Sequence, residues 1–202
     1  GKKYSWNAQP YLDIYSINEN TQALSLQGDV NTKYHESSVV FSKDGTTMYF
    51  ARNNFYKGKF KKNSKNTHNL KVYKATLVDG LWTNIESLPF NNDEYSVSHP
   101  ALSPDETKLY FASDMPGTMG KSDIFMVTIN EDGSYGTPEN LGKKINTEGR
   151  ENFPFISDNG TLYFSSDGHV GLGGLDVFEF ENINSISNTD THSTNVGKPI
   201  NS

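Results

Sequence analysis

The sequence predicts an all-β fold, a β-propeller segment of four-stranded antiparallel blades, with about three and a half blades present. Three observations carry this. The pair Tyr-Phe recurs at Tyr49-Phe50, Tyr110-Phe111 and Tyr163-Phe164, at spacings of 61 and 53 residues. A serine-led turn precedes each pair: Ser42-Lys-Asp-Gly, Ser103-Pro-Asp-Glu and Ser157-Asp-Asn-Gly. A further strand motif follows each pair, at Leu70-Lys-Val-Tyr73, Ser122-Asp-Ile-Phe125 and Leu175-Asp-Val-Phe178, with an earlier instance at Leu12-Asp-Ile-Tyr15.

Taken in order, the first two strands of each unit flank the serine-led turn. Val39-Val40-Phe41 pairs with Thr47-Met48-Tyr49-Phe50, Ala101-Leu102 with Leu109-Tyr110-Phe111, and Phe155-Ile156 with Leu162-Tyr163-Phe164. These segments are β-branched or aromatic, and Asp-Gly or Asn-Gly tolerates the positive φ of tight hairpin turns. The Leu-Asp-Ile-Tyr type segment is the third strand. After a turn at Asp79-Gly80 or Asp132-Gly133, a fourth strand leads into Leu88-Pro-Phe-Asn91 or Leu141-Gly-Lys-Lys-Ile-Asn146. Leu26-Gln-Gly-Asp-Val-Asn31 and Val196-Gly-Lys-Pro-Ile-Asn201 match that ending. The predicted units are 1–35 as a partial blade, then 36–95, 96–150 and 151–202. A closed propeller needs four or more blades, so the chain reads as a segment of a longer protein. The polar stretch from Asn182 to Asn195 has no helical period and reads as a loop.

Composition narrows the partners. Hydrophobic residues make up 34% of the 202 and aromatic residues 12%, which suits a folded domain; the net charge of −6 opposes phosphate-backbone binding, so no nucleic-acid partner is expected. Cysteine is absent, excluding thiolate metal sites and cysteine nucleophiles. No apolar run is long enough for a transmembrane helix.

The most pointed motif joins the second and third strands. Ser113 to Asp123 aligns without gaps to Ser166 to Asp176, and each copy places two aspartates, Asp114 and Asp123 or Asp167 and Asp176, around a Gly-rich loop. A hard cation such as calcium takes oxygens of this kind. The preferred reading is structural: the carboxylates accept hydrogen bonds from loop amides in a device repeated once per blade. Gly168 to Gly174 is followed by a strand rather than a helix, which removes the phosphate-cradle reading. His35, His68, His99, His169 and His192 lack zinc spacing, and His99 aligns with Ser38 and Phe153 at the start of a strand. No Gly-x-Ser-x-Gly elbow is present. The acids Glu36, Asp93, Glu94 and Glu151 are candidates for a glycosidase pair only if folding brings two of them together. No metal, cofactor or catalytic residue is therefore assigned. The first unit carries nine extra residues before its third strand, with Lys57, Lys59, Lys61, Lys62 and Lys65 among them, a basic loop and the candidate partner-contact surface.

These residues resemble a known family, the periplasmic OmpA-family proteins of Bacteroidota that carry a WD-like, TolB-like (PD40-type) propeller. The resemblance rests on Tyr4 to Tyr15, Ser96 to Asp105 with Leu109 to Gly117, and Gly171 to Phe178, and covers nearly the whole chain. It implies a periplasmic, outer-membrane-associated scaffold with protein partners in type IX secretion or gliding. Peptidoglycan would be gripped only by a separate domain outside this sequence. The function expected from sequence is thus a non-catalytic protein-binding scaffold, not an enzyme. The alternative is a carbohydrate-binding or glycoside-processing propeller.

Overall fold

A computed structural model describes residues 9–17, 22–187 and 191–202. Tyr4 to Ala8 of the resemblance, the first residues of the 1–35 unit and 188–190 of the polar stretch lie outside these.

The strands, in chain order, are β1 (Tyr15–Ser16), β2 (Leu24–Ser25), β3 (Glu36–Phe41), β4 (Thr47–Asn53), β5 (Phe55–Tyr56), β6 (Lys59–Phe60), β7 (Leu70–Val78) and β8 (Leu81–Ser87), followed by β9 (Val97–Leu102), β10 (Lys108–Ser113), β11 (Asp123–Thr128), β12 (Glu139–Asn140), β13 (Glu151–Ile156), β14 (Leu162–Ser166), β15 (Asp176–Phe180) and β16 (Thr194–Asn195). Among the described residues they form three four-stranded antiparallel sheets, β3-β4-β7-β8, β9-β10-β11-β12 and β13-β14-β15-β16, and two small hairpins, β1-β2 and β5-β6. Order in each large sheet follows the sequence, as in a propeller blade.

Three apolar clusters lie between successive sheets. Val30 packs with Met48, Phe50, Tyr73 and Trp82; Tyr49, Val72 and Leu88 pack with Leu109, Phe111 and Phe125; Tyr110, Ile124 and Ile145 pack with Leu162, Phe164 and Phe178. The Tyr-Phe pair explains this arrangement, because adjacent strand residues point to opposite faces. Tyr110 faces the third sheet while Phe111 faces the first. Each ring removed from water contributes about 1.5–3 kcal/mol, so the dipeptide stitches both neighbours to its blade.

Each serine-led turn is held the same way. The hydroxyl of Ser42, Ser103 or Ser157 donates to Asp44, Asp105 or Asn159 at 2.6 Å, and accepts from the amide of Thr47, Lys108 or Thr161 at 3.0–3.2 Å. The left-handed position falls on Gly45 and Gly160 but on Glu106 in the second copy (φ 59°).

The recurring asparagine at the end of each unit is a clamp. Asn91, Asn146 and Asn201 each accept from the amide and donate to the carbonyl of one third-strand residue: Val72, Ile124 and Val177. Asn31 does the same to Ile14, and all four amides also bond the last residue of the preceding strand, at Ser25, Ser87, Asn140 or Asn195. One side chain thus pins the outer edge of each sheet to its third strand.

A second repeated device sits on the first strands. Register slips at Ser37/Val39, at the Tyr110/Ala112 pairing of β9, and at Asn152/Phe155. The extra residue in each case has a left-handed backbone: Ser38 (φ 47°), His99 (φ 52°) and Phe153 (φ 53°). Such bulges re-aim a side chain. Between adjacent blades the His99 and Phe153 rings come to 3.8 Å between centroids, and burial pushes the imidazole pKa down to about 4.

Three local expectations need amendment. The extra residues of the first unit are not a plain loop; they contain the β5-β6 hairpin, turned by Lys57 (φ 47°) and Gly58 (φ 77°). The fourth strands of the second and third sheets shrink to two residues each. Among its described residues the polar stretch holds a 3-10 turn at Ile183–Ser185, where Ile183 anchors into the core.

Candidate ligand-binding cleft

The connection between second and third strands positions the site. Register places Arg52 opposite Lys71, Ser113 opposite Asp123, and Ser166 opposite Asp176. In the second and third blades nine residues cross this gap and wrap the buried aspartate. Asp123 accepts from the amides of Met119 (2.8 Å) and Gly120 (3.3 Å) and from Asn140 (2.6 Å); Asp176 accepts from Leu172, Gly173 and Asn195. Asp114 accepts from the Ser96 amide at 2.7 Å, and Asp167 from the Arg150 amide and guanidinium at 2.6 and 2.9 Å. Gly120 is required by packing, since a Cβ there would lie 2.4 Å from the Thr147 carbonyl oxygen.

In the first blade eighteen residues cross the same gap. Lys71 stands where the aspartates stand, and its ammonium bonds Asp93, which also takes Lys61 and Asn54. Lys71, then Lys61, holds the Asp93 carboxyl far below the usual carboxylate range. Glu94 tethers the loop again through the hydroxyl and amide of Ser64. Of the five loop lysines, Lys61 is ion-paired, Lys62 donates to Asn66 and Lys57 lies 5.2 Å from the Tyr56 ring centroid; Lys59 and Lys65 are exposed.

Held open in this way, the loop leaves a cleft of about 440 Å³ lined by Tyr11, Tyr34, His35, Asn53, Phe60, Asn66, Thr67 and His68. The hairpin folds Phe60 between Tyr34 and His68, with centroids 4.0 Å away on each side. Tyr11 adds an edge contact to Tyr34 at 6.1 Å and a tilted contact to His35 at 4.8 Å. Burial lowers the pKa of both imidazoles, for His68 with help from Lys62, so the walls are neutral at pH 7. Polar groups punctuate the rings. Asn53 Oδ1 accepts from the His35 amide and Asn66 Oδ1 from Lys62, which turns their Nδ2 donors elsewhere. Among the described residues, His68 Nδ1 is buried without a hydrogen-bond partner. Ring surface with a few fixed donors is the lining of a small-molecule site.

Sequence reasoning did not find this cleft. Its eight residues are spread from Tyr11 to His68 over three connections, with no spacing that marks them.

The four acids named as possible catalytic partners are each engaged by other groups. Glu36 bonds Thr32 and lies 3.1 Å from Arg52 Nε, Glu151 bonds Thr147 and Ser166, and Asp93 and Glu94 hold the basic loop. Among the described residues no group of three or more His, Asp or Glu gathers as a metal site.

The sequence matches no protein-family model and no curated protein. Solved structures share the fold. A gluconolactonase from Xanthomonas campestris, XC5397, is 17% identical with a TM-score of 0.59, over 94% of this chain and 56% of that one. A puromycin hydrolase is 14% identical (TM-score 0.55) over 94% of this chain and 28% of its own. A periplasmic gluconolactonase from Pseudomonas aeruginosa, PpgL, is 14% identical (TM-score 0.51) over 89% and 48%. The chain therefore spans about half the length, or less, of these proteins.

These relatives in fold correct the expectation that the module is not an enzyme. That expectation rested on missing local motifs, but all three structures are enzymes. A propeller site draws residues from separate connections, so missing motifs exclude nothing.

Proposed function

We propose that this chain is part of a carbohydrate-binding or carbohydrate-processing β-propeller of the periplasm, with the Tyr11–Tyr34–Phe60–His68 cleft as the sugar seat. The observation that carries it is the pairing of aromatic walls with amide donors. Sugar rings present apolar C–H faces and equatorial hydroxyls, which such walls and donors complement. The gluconolactonase fold neighbours, one of them periplasmic, support the substrate class and compartment.

The test is calorimetric titration of the protein with a panel of neutral oligosaccharides, cellotetraose among them, alongside Tyr34→Ala. Binding by the parent and a loss of at least about tenfold in the variant is the expected result. An absence of heat across the panel would refute the proposal.

A second reading keeps a protein partner at the outer membrane, as the family resemblance implies, touching the tip of the β5-β6 hairpin. Exposed Lys59 and Lys65 favour it. Capture of an acidic partner that Lys59→Ser with Lys65→Ser releases is the result it requires.

A further inference from the structure

The blade loops build a second hollow, of about 260 Å³, between the second and third sheets, and its chemistry is the opposite of the cleft's. Its lining is serine, asparagine and charge, with Lys121 and Arg150 against Asp114. Two carboxylates stand nearby: Asp114 accepts from the Ser96 amide, and Asp167 pairs with Arg150 and lies in the field of Lys121. Lys121 is fixed at its backbone, where its amide donates to the Gly149 carbonyl at 2.7 Å, and among the described residues its ammonium has no ion-pair partner. Ser122 donates to Asn152 Oδ1 at 3.2 Å, leaving the Asn152 amide hydrogens for other acceptors. The hollow is thus rich in donors, and its lining sets two cations, Lys121 and Arg150, against one carboxylate, Asp114.

The two sites adjoin. Thr67 and His68 line the cleft, Leu70 donates its amide to Ser96 Oγ at 3.2 Å, and Ser96 lines the hollow. The start of β7 at Leu70 thus links the cleft's wall to the hollow's.

We infer that the hollow at Lys121, Arg150 and Asn152 is an oxyanion subsite, so that the carbohydrate taken by the adjoining cleft is an acidic one bearing a carboxylate. This rests on the carbohydrate reading of the cleft. Charge-assisted bonds from Lys and Arg to a carboxylate are about twice as strong as neutral ones, which makes the subsite a determinant of specificity.

The experiment titrates the protein, Lys121→Met and Phe60→Ala with tetragalacturonate, with cellotetraose and with inorganic sulfate. Lys121 is exposed and keeps its backbone bond in the methionine variant, so folding is preserved; thermal melting checks this. The expected result is tighter binding of tetragalacturonate than of cellotetraose. Lys121→Met should weaken only the acidic sugar, by about fivefold. Phe60→Ala should weaken both. Sulfate should compete with the acidic sugar alone. Equal affinity for the two sugars, or equal loss of both in Lys121→Met, overturns the oxyanion subsite and leaves the cleft reading standing. If neither sugar binds, the cleft reading falls and this inference with it.

Discussion

Two connections in this molecule solve one problem in opposite ways. In the second and third blades the residue opposite the end of the second strand is a buried aspartate, Asp123 or Asp176, and nine residues close round it with their amides. In the first blade that residue is Lys71, which amides cannot satisfy, so an acid comes from the next blade's approach, at Asp93, and the connection doubles in length. The sign of the charge at this position thus goes with the length and course of the loop: inward round an aspartate, outward from a lysine. Among the described residues it is the loop that stands away that holds a hairpin and the aromatic cleft.

The sharpest way to break this contrast is to remove the inward carboxylate. Asp123→Ala strands two loop amides and the Asn140 side chain, and should cost about 3 kcal/mol in a denaturant titration. A loss below about 1 kcal/mol would mean that the loop holds itself.

The bulge position sharpens the comparison by pH. It carries Ser38, His99 and Phe153 in the three blades, and only His99 titrates. Its folded pKa is depressed to about 4 by burial, so the unfolded chain binds the proton first. Stability is therefore full above about pH 6.5, falls as pH drops from there toward 4, and levels off below. The decline should reach about 3 kcal/mol and flatten in His99→Asn, since asparagine accepts a positive φ. Melting curves across pH 4 to 7 measure it.

Removing the outward acid is a smaller perturbation. Asp93→Ala leaves Lys71 and Lys61 without their carboxylate and should cost about 1–2 kcal/mol, discounted because the carboxylate is one-third exposed. Sugar binding should fall with it, whereas Asp123→Ala should spare binding of the neutral sugar under conditions where the fold persists. Because the Asp93 pKa is depressed, its contribution is present above about pH 4 and is lost on acidification below that. The least effect belongs to the hairpin tip, where Lys59→Ser should change stability by less than about 0.5 kcal/mol.

The blades were legible in the sequence because their signals are local. Tyr-Phe, the serine-led turn and the final asparagine each recur once per unit, so periodicity displays them even before the asparagine's clamp role is visible. The cleft was not legible, since Tyr11, Tyr34, Phe60 and His68 meet only through tertiary packing. The basic loop drew notice for its lysines, but what it adds to the cleft wall is aromatic, and Phe55-Tyr-Lys-Gly-Lys-Phe60 was the available hairpin signal. The bulges also escaped, because His99 and Phe153 are not residues that announce a left-handed backbone.

The asparagine clamp bears on how such a molecule arises. Each unit carries its own latch, reaching from Asn91 to Val72, Asn146 to Ile124 or Asn201 to Val177, without borrowing from a neighbour. A duplicated stretch of coding sequence would arrive already fastened. A connecting segment can then lengthen in one unit, as it has before β7, while the latch of that unit and those of the others stay as they are.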